Sequence, residues 1–108
     1  MTEVDNELHV LIEAVRHSET YKQYDRKRVA LKSNPELKQK VDVYRAENYR
    51  LQNLPDDGTL QDRIEAFAEA NMELSEEPMV REFLDAELGL CRMLQEVVDR
   101  VVRAIDFE

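Results

Sequence analysis

Residues Pro78 to Ile105 read PMVREFLDAELGLCRMLQEVVDRVVRAI. Within them Val80, Leu84, Glu87, Cys91, Leu94, Val98, Val101 and Ile105 follow one another at alternating spacings of four and three. That is the repeat of a helix with one apolar side. Leu88 and Val102 widen the stripe, and Glu87 interrupts it. Such a helix measures ~40 Å at 1.5 Å per residue, against ~30 Å for a compact domain of about 100 residues. A second copy of the chain is the simplest cover for the excess. The expected self-association face is Leu94, Val98, Val101, Val102 and Ile105, with Arg92, Glu96, Asp99, Arg100 and Arg103 on the charged opposite side. The competing arrangement folds the first helix back along the stripe within one chain.

Working outward, Ser75-Glu76-Glu77-Pro78 stops the preceding helix, because the residue before a proline is biased out of the helical region. Leu60, Ile64, Phe67, Ala68 and Met72 carry that helix, and Thr59 with Asp62 resembles a capping box. Pro55-Asp56-Asp57-Gly58 is the strongest turn in the chain. Before it, Asn34-Pro35-Glu36 combines a capping Asn, a proline at the first helical position and an acid. It starts a helix striped by Leu37, Val41, Tyr44, Asn48 and Leu51. Ser18 caps a helix whose one face is Tyr21, Tyr24, Arg28 and Leu31. The first helix, about Glu3 to His17, is striped by Val4, Leu8, Leu11, Ile12 and Val15. The expected fold is therefore all-α: a single-domain bundle of four to five helices over residues 1–108, with a long C-terminal helix intertwined or packed as a dimer.

Composition agrees. Two glycines and three prolines leave little β-turn material. One cysteine excludes an internal disulfide framework and fits a reducing cytosol. The acidic opening, Thr2, Glu3 and Asp5, lacks the basic-then-apolar order of a signal peptide, and no apolar run reaches the ~20 residues that span a bilayer. A cytoplasmic protein without membrane insertion is expected. The net charge of −9 argues against a general nucleic-acid binder. Residues 16–50, however, hold ten of the fifteen Lys/Arg and five of the twenty-four Asp/Glu, a local balance of +5.

Candidates for chemistry are few. His9 and His17 lie eight residues apart, ~12 Å on one helix, too far to share a metal ion. No Gly-rich phosphate loop, metal-binding HExxH or nucleophile elbow occurs. No cofactor and no metal are expected, since one thiol and two distant histidines do not make three or four ligands. Cys91, on the apolar stripe, reads as a buried structural thiol. Glu87, a carboxylate on the same stripe, needs solvent at the edge or a buried donor. Arg28 is the partner considered, as a buried polar pair. Tyr21 and Tyr24 read as core residues with wet hydroxyls.

The run Ser18-Glu19-Thr20-Tyr21-Lys22-Gln23-Tyr24 resembles the SxxYxxY opening of the YlbF/YmcA family of helical bacterial proteins. Asn34-Pro35-Glu36-Leu37-Lys38 is similar to its NPEL step, Phe83 to Cys91 to its FxxAExxL segment, and Ile105-Asp106-Phe107 to a common family ending. The resemblance covers nearly the whole chain. It implies a cytoplasmic, dimeric or larger helical protein. It also implies kinship with a hetero-oligomeric complex of sporulating Gram-positive bacteria. That complex is tied to competence, biofilm formation and sporulation, and is a specificity factor for a membrane-associated endoribonuclease. Some members are linked to a flavin and to iron–sulfur clusters through additional cysteines. This chain has only Cys91, so neither group is carried over.

The leading expectation is a non-enzymatic adaptor or regulator acting by protein–protein interaction, as a homodimer or higher homo-oligomer. Family paralogues and an endoribonuclease complex are its candidate hetero-oligomeric partners. Its partner-binding residues are expected to be the exposed basic set Arg26, Lys27 and Lys32. The alternative is an RNA-contacting accessory subunit using the same set with Lys38 and Lys40. No residue pattern supports an enzyme.

Overall fold

A computed structural model describes residues 1–105. Six helices run in the order α1 Thr2–Arg16, α2 Glu19–Lys32, α3 Pro35–Gln52, α4 Leu60–Ala70, α5 Met72–Glu76 and α6 Pro78–Ile105, and no strand occurs among the described residues. The expected breaks at Ser18, Asn34, Pro55–Gly58 and Ser75–Pro78 are all present. A further one, at Asn71, raises the helix number above the expected four to five. The Asn71 side-chain amide donates to the Phe67 carbonyl at 2.8 Å, the same carbonyl that its backbone N–H reaches at 3.1 Å. Such local side-chain bonding competes with helix continuation, and the chain restarts as the single turn α5. Asp106 and Phe107, part of the family-like ending, lie outside the described residues.

Two caps follow the sequence and one does not. The Asn34 side chain accepts from the Leu37 N–H at 3.2 Å, with Pro35 opening α3. The Ser18 hydroxyl accepts from the Tyr21 N–H at 3.2 Å and donates to the Val15 carbonyl at 2.6 Å, so it joins the end of α1 to the start of α2. Thr59 makes no side-chain cap. Its hydroxyl instead donates to the Asp57 carboxylate, an ionised acceptor two residues back and a stronger one than a backbone group. Bonds from the Thr59 hydroxyl and N–H hold the Asp57 carboxyl below its usual range. Gly58, at φ 92°, takes the left-handed conformation that this turn demands. Replacing Asn34 with Ala leaves one α3 N–H unsatisfied. It is expected to cost about 1 kcal/mol in urea unfolding, with the denaturant slope unchanged.

The residues divide into two compact units, Val29–Glu82 on one hand, and Met1–Arg28 with the chain from Phe83 onward on the other. In the Val29–Glu82 unit, Leu31, Val41, Leu51 and Val80 are buried. Leu37, Tyr44 and Asn48 are half-buried, so the stripe expected on α3 faces inward throughout. The Tyr44 ring stacks on Phe67 of α4, with centroids 5.2 Å apart and planes 20° apart. In the other unit Phe83 is the buried hydrophobic residue among those described, and α1 has none.

Candidate functional site

The motif residues of α2 and α6 form one cluster. Tyr21 and Tyr24, three apart on α2, share a face with their ring centroids 6.1 Å apart. Tyr24 lies 5.9 Å from the ring of Phe83. Arg28 continues the α2 face with its guanidinium 5.7 Å from the Tyr24 centroid, a cation–π geometry. That guanidinium forms an ion pair and hydrogen bond with Asp25, on its own helix. The bond to Asp25 raises the Arg28 pKa above its ordinary value, against the opposing pull of desolvation. Its buried Nε finds no acceptor among the described residues. Arg28 and Glu87, the pair considered from the sequence, are both half-buried, and Asp25, not weighed in the sequence, meets Arg28.

The register of α6 also differs from the one first read. Cys91 is exposed, not buried. Val80 and Phe83 are buried and Leu84, Glu87, Leu90, Met93 and Val97 half-buried, whereas Leu94 and Val98 are exposed. The expected line holds at Val80, Leu84 and Glu87, and from there the covered positions run one residue before it, through 90, 93 and 97 instead of 91, 94 and 98. A straight helix drifts ~20° per heptad against a strict seven-residue repeat, and a wide apolar stripe does not declare which edge is inside.

In the same unit, Leu8, Leu11, Ile12 and Val15 of α1 line a shared apolar groove of about 320 Å³ with Leu90, Leu94, Val97 and Val98 of α6. The first helix therefore borders part of the stripe without covering it. Val98 remains 62% exposed, Ile105 61% and Leu8 51%, and Leu94, Val101 and Val102 are exposed as well. The result is an aliphatic surface on two helices. On α6, the opposite side carries the pairs Glu96–Arg100 at 2.9 Å and Asp99–Arg103 at 3.2 Å.

The basic set is less uniform than its sequence. Arg26 is exposed and pairs with Glu19 at 3.2 Å, Lys27 is half-buried, and Lys32 is exposed. On α3, Lys38 pairs with Asp42 at 2.6 Å and Lys40 is exposed. Among the described residues no group of three or more His, Cys, Asp and Glu is placed to hold a metal ion, and no helix is long and apolar enough to cross a membrane.

These features define a class: a small all-helical protein that presents a broad aliphatic face. The family model described as Control of competence regulator ComK, YlbF/YmcA matches residues 4–106, and the chain belongs to that family. Its role is accordingly a regulatory one. No curated protein and no solved structure gives a significant match.

One surface escaped the sequence reading. Val43, Tyr44 and Leu74 border a second groove, of about 490 Å³, in the Val29–Glu82 unit. Its available signal was Val43, an aliphatic residue off the inward stripe of α3.

Proposed function

We propose that the chain is a cytoplasmic, non-enzymatic adaptor whose residues 1–108 work as one domain and which acts through protein–protein contact. It pairs with itself through the aliphatic face of α1 and α6, and presents its helices to larger partners. By family kinship these include paralogues and the endoribonuclease assembly behind competence, biofilm formation and sporulation. The observation that carries the reading is that face, at Leu94, Val98, Val101, Val102 and Ile105, all exposed within one chain. Contiguous apolar surface of this kind on a small protein marks an interaction site, and a two-fold pairing covers it with an identical patch. Sedimentation of the wild-type chain over a dilution series tests it. A dimer or larger species at micromolar concentration is expected, and a monomer there refutes it.

The basic residues of α2 are proposed as a contact for partners rather than a support of the fold. Replacing Arg26 and Lys27 with Glu is expected to keep the helical content and the oligomer, at a cost of ~0.5 kcal/mol per site. The doubly substituted protein should recover less of its partners on co-purification from the native cell. Recovery of every partner at wild-type levels places the binding face elsewhere. In the RNA reading, affinity falls steeply with salt, by roughly one logarithmic unit of slope per phosphate contact. The carboxylates of Glu19 and Asp42 beside Arg26 and Lys38 favour the protein reading, because they weaken the positive field that phosphates follow.

A further inference from the structure

We infer that the outer face of α4 and α5 docks a basic amphipathic segment of a partner protein. α4 holds no buried residue. Its inner edge, Leu60 and Phe67, is half-buried, and Phe67 stacks on Tyr44 of α3. Beside that edge Ile64, Ala68 and Met72, spaced by four, form a row along the helix surface. All three are exposed, Ile64 by 41% and Met72 by 53%. The row carries across the break at Asn71. The Asn71 N–H still donates to the Phe67 carbonyl at 3.1 Å, and the Ser75 N–H to the Asn71 carbonyl at 2.9 Å, the bond spacing of an α-helix.

Charge selects the occupant, and the charges border the apolar row itself. One residue on from each of its members stand Glu65, Glu69 and Glu73, all exposed. At ~100° per residue they make a second row beside the first, on the flank away from Phe67. The Gln61 amide donates to the Glu65 carboxylate at 3.2 Å, which leaves its charge in place. Residues 60–76 carry five Asp/Glu against one cation, Arg63, a balance of −4. Arg63 precedes Phe67 by four and so stands on the opposite flank. The glutamate row repels nucleic acid and acidic peptides and attracts Lys and Arg. A second copy meeting this face with its own would gather both glutamate rows at one seam. The apolar row meanwhile demands hydrophobic side chains. A segment with apolar residues at helical spacing and Lys or Arg beside them satisfies both. The face shares no residue with the α1–α6 surface or with Arg26, Lys27 and Lys32, so the inference stands apart from the function proposed above.

The test is a titration of the full-length ¹⁵N-labelled chain with a synthetic Leu/Lys amphipathic helical peptide. A Leu/Glu peptide and a Ser/Lys peptide of equal length are the controls. Shifts are expected to cluster at Ile64, Glu65, Ala68, Glu69 and Met72, and neither control should bind there. Met72→Asp and, separately, Ala68→Asp distinguish docking from simple charge attraction. The added carboxylate strengthens a purely electrostatic contact but spoils apolar seating, so docking predicts affinity weakened by about tenfold or more. The Glu65→Gln, Glu69→Gln, Glu73→Gln triple variant should weaken it similarly. Both Met72 and Ala68 are exposed, so each Asp variant should fold and sediment as wild type. Unchanged or tighter binding to the two Asp variants overturns the inference, as does equal binding of either control peptide. So do shifts confined to α1 and α6 or to the groove at Val43. Concentration-dependent shifts of the α4 face without peptide make a second copy the occupant and overturn it too.

Discussion

Replacing Val98 and Val101 together with Asp should convert the self-associated protein into folded monomers. The chain leaves Val98 62% and Val101 49% exposed, so within one copy an aspartate at either position meets solvent and the helices should persist. Across a two-fold interface the same carboxylates lie on buried aliphatic surface, where an unpaired charge is heavily penalised. Losing the burial of two valines costs roughly 1.5–3 kcal/mol each where burial is complete. With the charge penalty added, the dissociation constant should rise by about a thousandfold or more, since each 1.4 kcal/mol is a factor of ten. The measurement is sedimentation equilibrium alongside far-ultraviolet circular dichroism. A lower mass with unchanged helicity is the expected pair of readings. Should the doubly substituted chain keep the wild-type mass, the interface lies on another surface.

The second large effect belongs to Phe83. It is 3% exposed, its ring lies beside that of Tyr24, and it is the buried hydrophobic residue of its unit among those described. Phe83→Ala should cost about 3–5 kcal/mol. Small domains are stable by only about 5–15 kcal/mol, so this variant should approach or reach the unfolded state at 37 °C. Phe83→Leu should cost much less. Cys91→Ser, at an exposed position of the same helix, should stay within ~0.5 kcal/mol of wild type. Urea unfolding of the three variants reads the register of α6 directly. A reversed order, with Cys91→Ser the costly change, restores the line through 91, 94 and 98.

Much of the architecture was legible because it is written in local chemistry. Asn34-Pro35 and Ser18 act through bonds to residues three away, and the stripes of α2 and α3 turn inward as spaced. The break at Asn71 was missed because an Asn inside an apolar-periodic run reads as an exposed helical residue unless its amide is seen to reach back to Phe67. The errors on α6 have another source. Periodicity marks a face, but which edge of that face is covered depends on residues far away in sequence, such as Tyr24 and the aliphatic row of α1. The pairing of Arg28 with Asp25 was equally hidden, since the i, i+3 carboxylate competes with every distant acid that faces the same ring. The second groove emerged only once Tyr44 and Leu74, thirty residues apart, stood side by side.

The division of the chain also sets a timetable. The unit of residues 29–82 is one uninterrupted stretch, whereas the other joins residues 1–28 to a segment that begins at Phe83, with 54 residues between them. A ribosome adding ~5–20 residues per second needs on the order of 3–10 s to make the intervening stretch. Throughout that interval the newborn α1, with Val4, Leu8, Leu11 and Ile12 on it, has no α6 to lie against. The aliphatic row of α1 therefore stays uncovered until α6 has emerged, and the contacts of that unit close only after the 29–82 stretch has been made.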